Sequence, residues 1–176
     1  MDRLKKSHFA FLGLPERFEV DEQALQQVYL RVQAAVHPDR HAQSGATEHR
    51  IAMQLATLAN EAYKTLLDPG RRAAYLCELH GVAVNAETHT AMAPAFLIEQ
   101  MSWREALEDA RSQGDREALA GLGRMLCDHR ARLLQEFAAA IDRDADFERA
   151  ADAVRRWMFI DKFRADVAAA EEGLTA

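Results

Sequence analysis

Cysteine is nearly missing from this 176-residue chain: Cys77 and Cys127 are the only two, and they stand far apart. With no CxxC pair, neither a zinc knuckle nor a disulfide scaffold is indicated. Two thiols and no secretion signal fit a reducing cytosol, so a cytoplasmic location is expected. Long apolar runs are missing too. The longest, Ala91 to Ile98, is interrupted by Pro94, and nothing approaches the roughly 20 residues that cross a bilayer. There is no surplus of positive charge: 22 Lys and Arg face 28 Asp and Glu, for a net charge of −6. Binding of nucleic acid over a broad surface is therefore disfavoured, although a local basic patch is not excluded. Strand formers are scarce, with 12 valines and isoleucines against 34 alanines, and no segment alternates apolar with polar. What remains is helix. At 49% hydrophobic and 28% charged residues, the chain has the balance of a folded all-α protein.

The four prolines act as punctuation. Phe9, Phe11, Leu12 and Leu14 form a short apolar segment closed by Gly13 and Pro15. Asp21 can cap the next helix, in which Leu25, Val28, Tyr29, Val32 and Val36 recur on one face. Pro38 ends it. After a polar stretch, Leu55, Leu58, Ala59, Ala62, Tyr63 and Leu66 mark a second amphipathic helix. Asp68-Pro69-Gly70 is a turn, and a basic helix from Arg71 to Leu79 ends at His80-Gly81. Residues 82–93 carry little periodicity and read as a connector. Three longer helical patterns follow, expected to form a three-helix bundle over 94–176. The first runs from Pro94 to Ser112. The second is marked by Leu119, Leu122, Leu126, Leu133, Phe137 and Ile141. The third is capped by Asp144 or Asp146 and carries Val154, Trp157, Ile160 and Val167.

His37-Pro38-Asp39 falls between the two amphipathic helices of the first half. Taken alone it is a turn. Its setting is more specific: a Gly-Leu-Pro segment before it, then Ala62-Tyr63-x-x-Leu66-x-Asp68-Pro69 and Arg72-Ala73-x-Tyr75 after it. This arrangement resembles a J domain over roughly residues 7–80. The resemblance implies that His37, Pro38 and Asp39 dock on a DnaK-type chaperone and promote its ATP hydrolysis, with no nucleophile or nucleotide site in this chain. Two features depart from the pattern. Arg40 stands where lysine is usual, and Arg31 is the only cation of the preceding helix, so any electrostatic steering rests on Arg31 and Arg40.

The C-terminal part narrows the resemblance. No Gly/Phe-rich linker follows. The chain continues instead into Ala95-Phe96-Leu97-Ile98-Glu99-Gln100-Met101 and, near its end, Trp157-Met158-Phe159-Ile160-Asp161-Lys162. Together with the length and the opening, this is similar to the HscB family of J-domain co-chaperones. That resemblance implies two partners, the chaperone HscA and the iron–sulfur scaffold IscU, and no cofactor. It also implies a scaffold site at Leu97, Ile98, Met101, Glu105, Asp109 and Phe159. Where the family often has an acidic residue, this chain has Ser102. A start directly at the J domain is expected of a bacterial cytosolic form.

The residues point to a binding face on their own. With about 100° per residue, Phe96, Leu107 and Ala110 fall within about 40° of Trp103 and suffice as a core stripe. Leu97, Ile98 and Met101 fall on the other side, continued by Glu105 and Asp109. Phe159 lies about 160° from Trp157 and is expected to point away from the core. A second apolar stripe asks for a partner, unless it packs on the J domain or the connector. A metal site is not expected: His37 and His41 have Pro38 between them, and Cys127 and His129 diverge around a helix. No phosphate-binding loop or Ser/His/Asp set is present, so an enzyme is not expected. Three readings remain: an adaptor between IscU and HscA, a J protein with another client on the same helix, and a small helical enzyme using the histidines.

Overall fold

The computed structural model describes residues 7–36, 45–84 and 92–174. Among them are seven α-helices, one π-helical segment and no strand. The chain divides into two compact units, Met1–Gly81 and Val82–Ala176. Among the described residues no helix is long and apolar enough to cross a membrane.

The first unit is a helical hairpin flanked by two shorter helices. Helix α1 (His8–Leu12) starts where the Ser7 hydroxyl accepts the Ala10 N–H at 3.2 Å, and ends at Gly13, whose φ of 70° favours glycine. Helix α2 (Glu22–Val36) is capped by Asp21, whose Oδ1 accepts the N–H groups of Gln23 and Ala24 at 2.9 and 3.1 Å. It packs on α3 (Ala46–Leu67). Ala52, Ala59, Ala62 and Leu66 of α3 are buried, as is Leu25 of α2. Above them the Tyr29 and Tyr63 rings stack at 4.2 Å, and the Tyr29 hydroxyl donates to Asn60 Oδ1 at 2.8 Å.

Helix α4 (Pro69–Leu79) begins at Asp68, whose carboxylate accepts the Arg71 N–H at 2.8 Å, with Pro69 in its first turn. Ala73, Leu76 and Cys77 are buried, and so is Arg72. The Arg72 cation lies 4.9 Å from the Phe18 ring centre. Tyr75 ties α4 to α1: its ring stacks on His8 at 4.4 Å and its oxygen accepts the His8 N–H at 2.9 Å.

The second unit holds α5 (Pro94–Gln113), α6 (Arg116–Phe137), a π-helical segment (Ala138–Arg143) and α7 (Phe147–Gly173). Gly114, with φ of 63°, closes α5, and Asp115 caps α6 by accepting the Ala118 N–H at 3.0 Å. Of the two aspartates expected to cap α7, Asp146 does so, accepting the Arg149 N–H at 3.0 Å. The second helical pattern was expected to run as one helix to Ile141; instead it widens to π geometry after Phe137. Beyond it Ala145 sits at φ 50°, the one described non-glycine residue with positive φ.

The core of this unit follows the predicted stripes. Phe96, Trp103, Leu107 and Ala110 of α5 are buried, as are Leu119, Leu126, Leu133 and Phe137 of α6. Helix α7 buries more than one stripe, because it is covered on two sides. Trp157 packs on Phe137 of α6 and lies under the Arg130 guanidinium at 3.9 Å. Phe163 faces Trp103 of α5 instead. Cys77 is buried and Cys127 is exposed on α6; neither forms a disulfide.

Candidate functional site

The residues expected to face a chaperone divide between described and undescribed positions. Arg31 stands exposed on α2, one turn before that helix ends at Val36. His37, Pro38, Asp39 and Arg40 lie outside the described residues, as does His41. The flanking helices also expose apolar side chains that the periodicity did not single out: Leu30 on α2, and Ile51 and Met53 on α3.

The other candidate face lies on α5. With the opposite stripe of this helix buried, Leu97, Ile98 and Met101 are left 45%, 66% and 62% exposed. Three neighbouring apolar side chains so open to water are unusual on a folded unit and mark a surface that gains by being covered. Ser102, Glu105 and Asp109 are exposed beyond them. The face is thus apolar toward the start of the helix and acidic toward its end.

Phe159 differs from the expectation. It does face another side of α7 than Trp157, but that side is not open. Its ring meets Phe96 edge-on at 5.7 Å, lies 6.2 Å from Trp103 and stacks on Phe163 at 5.9 Å. The residue is half-buried. The angle between Phe159 and Trp157 was sound, but both sides of α7 have a neighbouring helix. Periodicity also left out Arg104, whose guanidinium lies 5.7 Å from the Phe159 ring centre. Its place seven residues after Leu97, two helical turns on, was the available signal.

Behind this face, His129 of α6 meets the Trp103 ring edge-on at 4.9 Å. Burial holds its pKa below the ordinary histidine value; the nearby Arg132 cation adds to this, while Glu99 and Asp128 oppose it. Beside it lies a cleft of mixed charge over Phe96, Leu133 and Ile160, where Arg156 pairs with Glu136 at 2.5 Å. No group of three His, Cys, Asp or Glu side chains placed to hold a metal occurs among the described residues.

The described residues thus form two helical units, a hairpin with flanking helices and a bundle with an exposed apolar stripe, and comparison with known proteins gives their class as J-domain co-chaperones. Residues 92–168 match the family model described as the HSCB C-terminal oligomerisation domain. A co-chaperone protein HscB homolog of Ralstonia nicotianae is 49% identical over 174 residues, 99% of each chain. The solved chaperone HscB from Vibrio cholerae superposes with a TM-score of 0.89 at 35% identity, covering 96% of this chain and 99% of the other. Human co-chaperone protein HscB gives 0.86 at 29% identity, over 94% of this chain and 82% of the human one. The chain belongs to the HscB family of J-domain co-chaperones.

Proposed function

We propose that this protein is the adaptor that brings the iron–sulfur scaffold IscU to the chaperone HscA in the cytoplasm and stimulates the ATPase of that chaperone. The observation that carries the reading is the exposed stripe Leu97, Ile98 and Met101 on a helix whose opposite face already supplies the core. In this reading residues 1–81 are the J domain, 82–93 the connector and 94–176 the scaffold-holding domain. Leu97, Ile98, Met101 and Phe159 cover an apolar patch of the scaffold, with Met101 as the adaptable contact. Glu105 and Asp109 meet its cations. His37, Pro38 and Asp39 dock on the chaperone. Proline fixes the loop backbone, and the other two offer charge-assisted hydrogen bonds. Arg31 and Arg40 supply the steering charge.

The chain provides no reacting group in this scheme. It shifts the chaperone toward the hydrolysing conformation by binding that conformation better. Holding scaffold and chaperone on one body raises the effective concentration of the client, and so favours its capture.

The test is steady-state ATP hydrolysis by HscA with IscU, using the wild type, Asp39→Ala and Met101→Ala. Strong stimulation by the wild type, abolished by Asp39→Ala and weakened by Met101→Ala at limiting scaffold, is expected. No stimulation by the wild type removes the partner assignment. Stimulation that ignores IscU assigns the α5 stripe to another client.

A further inference from the structure

We infer that Arg104 is a positioning residue of the docking face: its guanidinium caps the ring of Phe159 and fixes that ring beside the exposed stripe of α5. The inference rests on the scaffold-binding reading above and adds to it a residue not assigned there.

Four observations carry it. The Arg104 guanidinium carbon lies 5.7 Å from the Phe159 ring centre, within the range where a cation is drawn to the ring quadrupole. Leu97, Met101, Arg104 and Glu108 fall within about 60° of one another around α5, so the cation stands in the stripe itself. Phe159 is half-buried, with Phe96, Trp103 and Phe163 around it, and Arg104 is the exposed member of its surroundings. No ion pair among the described residues engages this guanidinium. The aromatic neighbours hold the ring from the core side, and Arg104 holds it from the solvent side. A ring fixed before the partner arrives loses less freedom on binding.

A second role is chemically open to the same group, a direct bond to a carboxylate of the partner, and the two predict different couplings. Affinity of the full chain for IscU is measured by calorimetry for the wild type, Arg104→Ala, Arg104→Lys, Phe159→Ala and the double variant Arg104→Ala/Phe159→Ala. Arg104→Ala is expected to weaken binding about two- to fivefold, the scale of an exposed cation–ring contact. Arg104→Lys should recover part of the loss. In the Phe159→Ala background the loss should fall below about 1.5-fold, because the ring through which Arg104 acts is gone. An equal loss in both backgrounds, or none in the wild type, overturns the positioning role.

The free protein supplies an independent readout. The ring resonances of Phe159, identified through Phe159→Leu, should shift in Arg104→Ala while the Trp103 indole signal stays in place. Unshifted Phe159 signals overturn the inference. If the wild type fails to bind IscU, the scaffold reading falls, and the ring resonances still decide whether Arg104 positions Phe159.

Discussion

Arg72 Nη1 donates to the carbonyl oxygen of Leu66 at 2.5 Å, joining the start of α4 to the end of α3. That carbonyl belongs to the last turn of α3, where backbone acceptors have no partner within the helix. The cation is only 5% exposed and also lies over Phe18, so it closes the corner of the J unit from inside.

Arg72→Met should therefore destabilise the first unit by about 2–3 kcal/mol, the size of a lost buried bond to a charged donor. Arg72→Lys should restore only part, since an ammonium cannot stack flat on Phe18 while reaching the same carbonyl. Denaturant unfolding followed by far-ultraviolet circular dichroism measures both. A loss under about 0.5 kcal/mol would deny the corner this role.

The two faces of α5 should respond in opposite ways. Leu97→Ser and Met101→Ser together change stability by less than about 1 kcal/mol, because both side chains already face water. They should weaken IscU binding by about tenfold or more, as removal of an interface centre does. Trp103→Ala, on the buried face, should instead lose about 3–5 kcal/mol of stability. Thermal melts and calorimetry on the same samples separate the two effects.

Acid should destabilise both units through histidine. His129 and His8 each have a pKa below the ordinary value of 6.5, in both cases chiefly because burial disfavours the charged ring; Glu61 opposes the shift at His8. Between the unfolded and folded pKa values the unfolded chain binds more protons. The stabilisation is complete above pH 6.5 and is lost as pH falls through the folded value. Trp103 and Trp157 both lie in the second unit, so urea unfolding read by tryptophan fluorescence from pH 7.5 to 5 follows His129. His129→Gln should flatten that pH dependence; an unchanged slope would exclude His129 as its source.

At the start of α7 two aspartates near Arg149 have unequal weight. Asp146 accepts the Arg149 backbone N–H, whereas Asp144 meets only the exposed end of its side chain, at 2.6 Å. Asp146→Ala should lower stability by about 1 kcal/mol. Asp144→Ala should lower it by less than about half of that. Equal effects would mean that the surface pair, rather than the cap, secures this helix end.

The helical order was readable because each helix carries its own marks. Asp21 caps where the sequence puts it, Pro94 opens α5, and Gly13 and Gly114 close helices in left-handed geometry. Asp68-Pro69-Gly70, expected as a turn before a helix from Arg71, is instead the cap and first turn of α4, since proline fits a first helical position. The exposed stripe of α5 was readable for the same reason: one periodic face filled the core, and Leu97, Ile98 and Met101 were left over. Phe159 departs from the expectation because an angle on one helix does not say how many neighbours that helix has. Phe163, one turn further along α7, was the sign of a second packed side. The π segment had no sign at all, since Ala138, Ala139 and Ala140 suit ordinary α geometry equally well. Arg104 went unnoticed because its partner, Phe159, is distant in sequence.

The contrast between the two cysteines has a kinetic consequence. Because Cys127 is exposed and Cys77 buried, a maleimide added to the native chain should reach Cys127 first and Cys77 only when α4 lifts away from the core. Once Cys127 is saturated, the slow second addition would act as a clock for openings of the first unit. Run with and without the chaperone, that clock would tell whether docking tightens the J unit or loosens it.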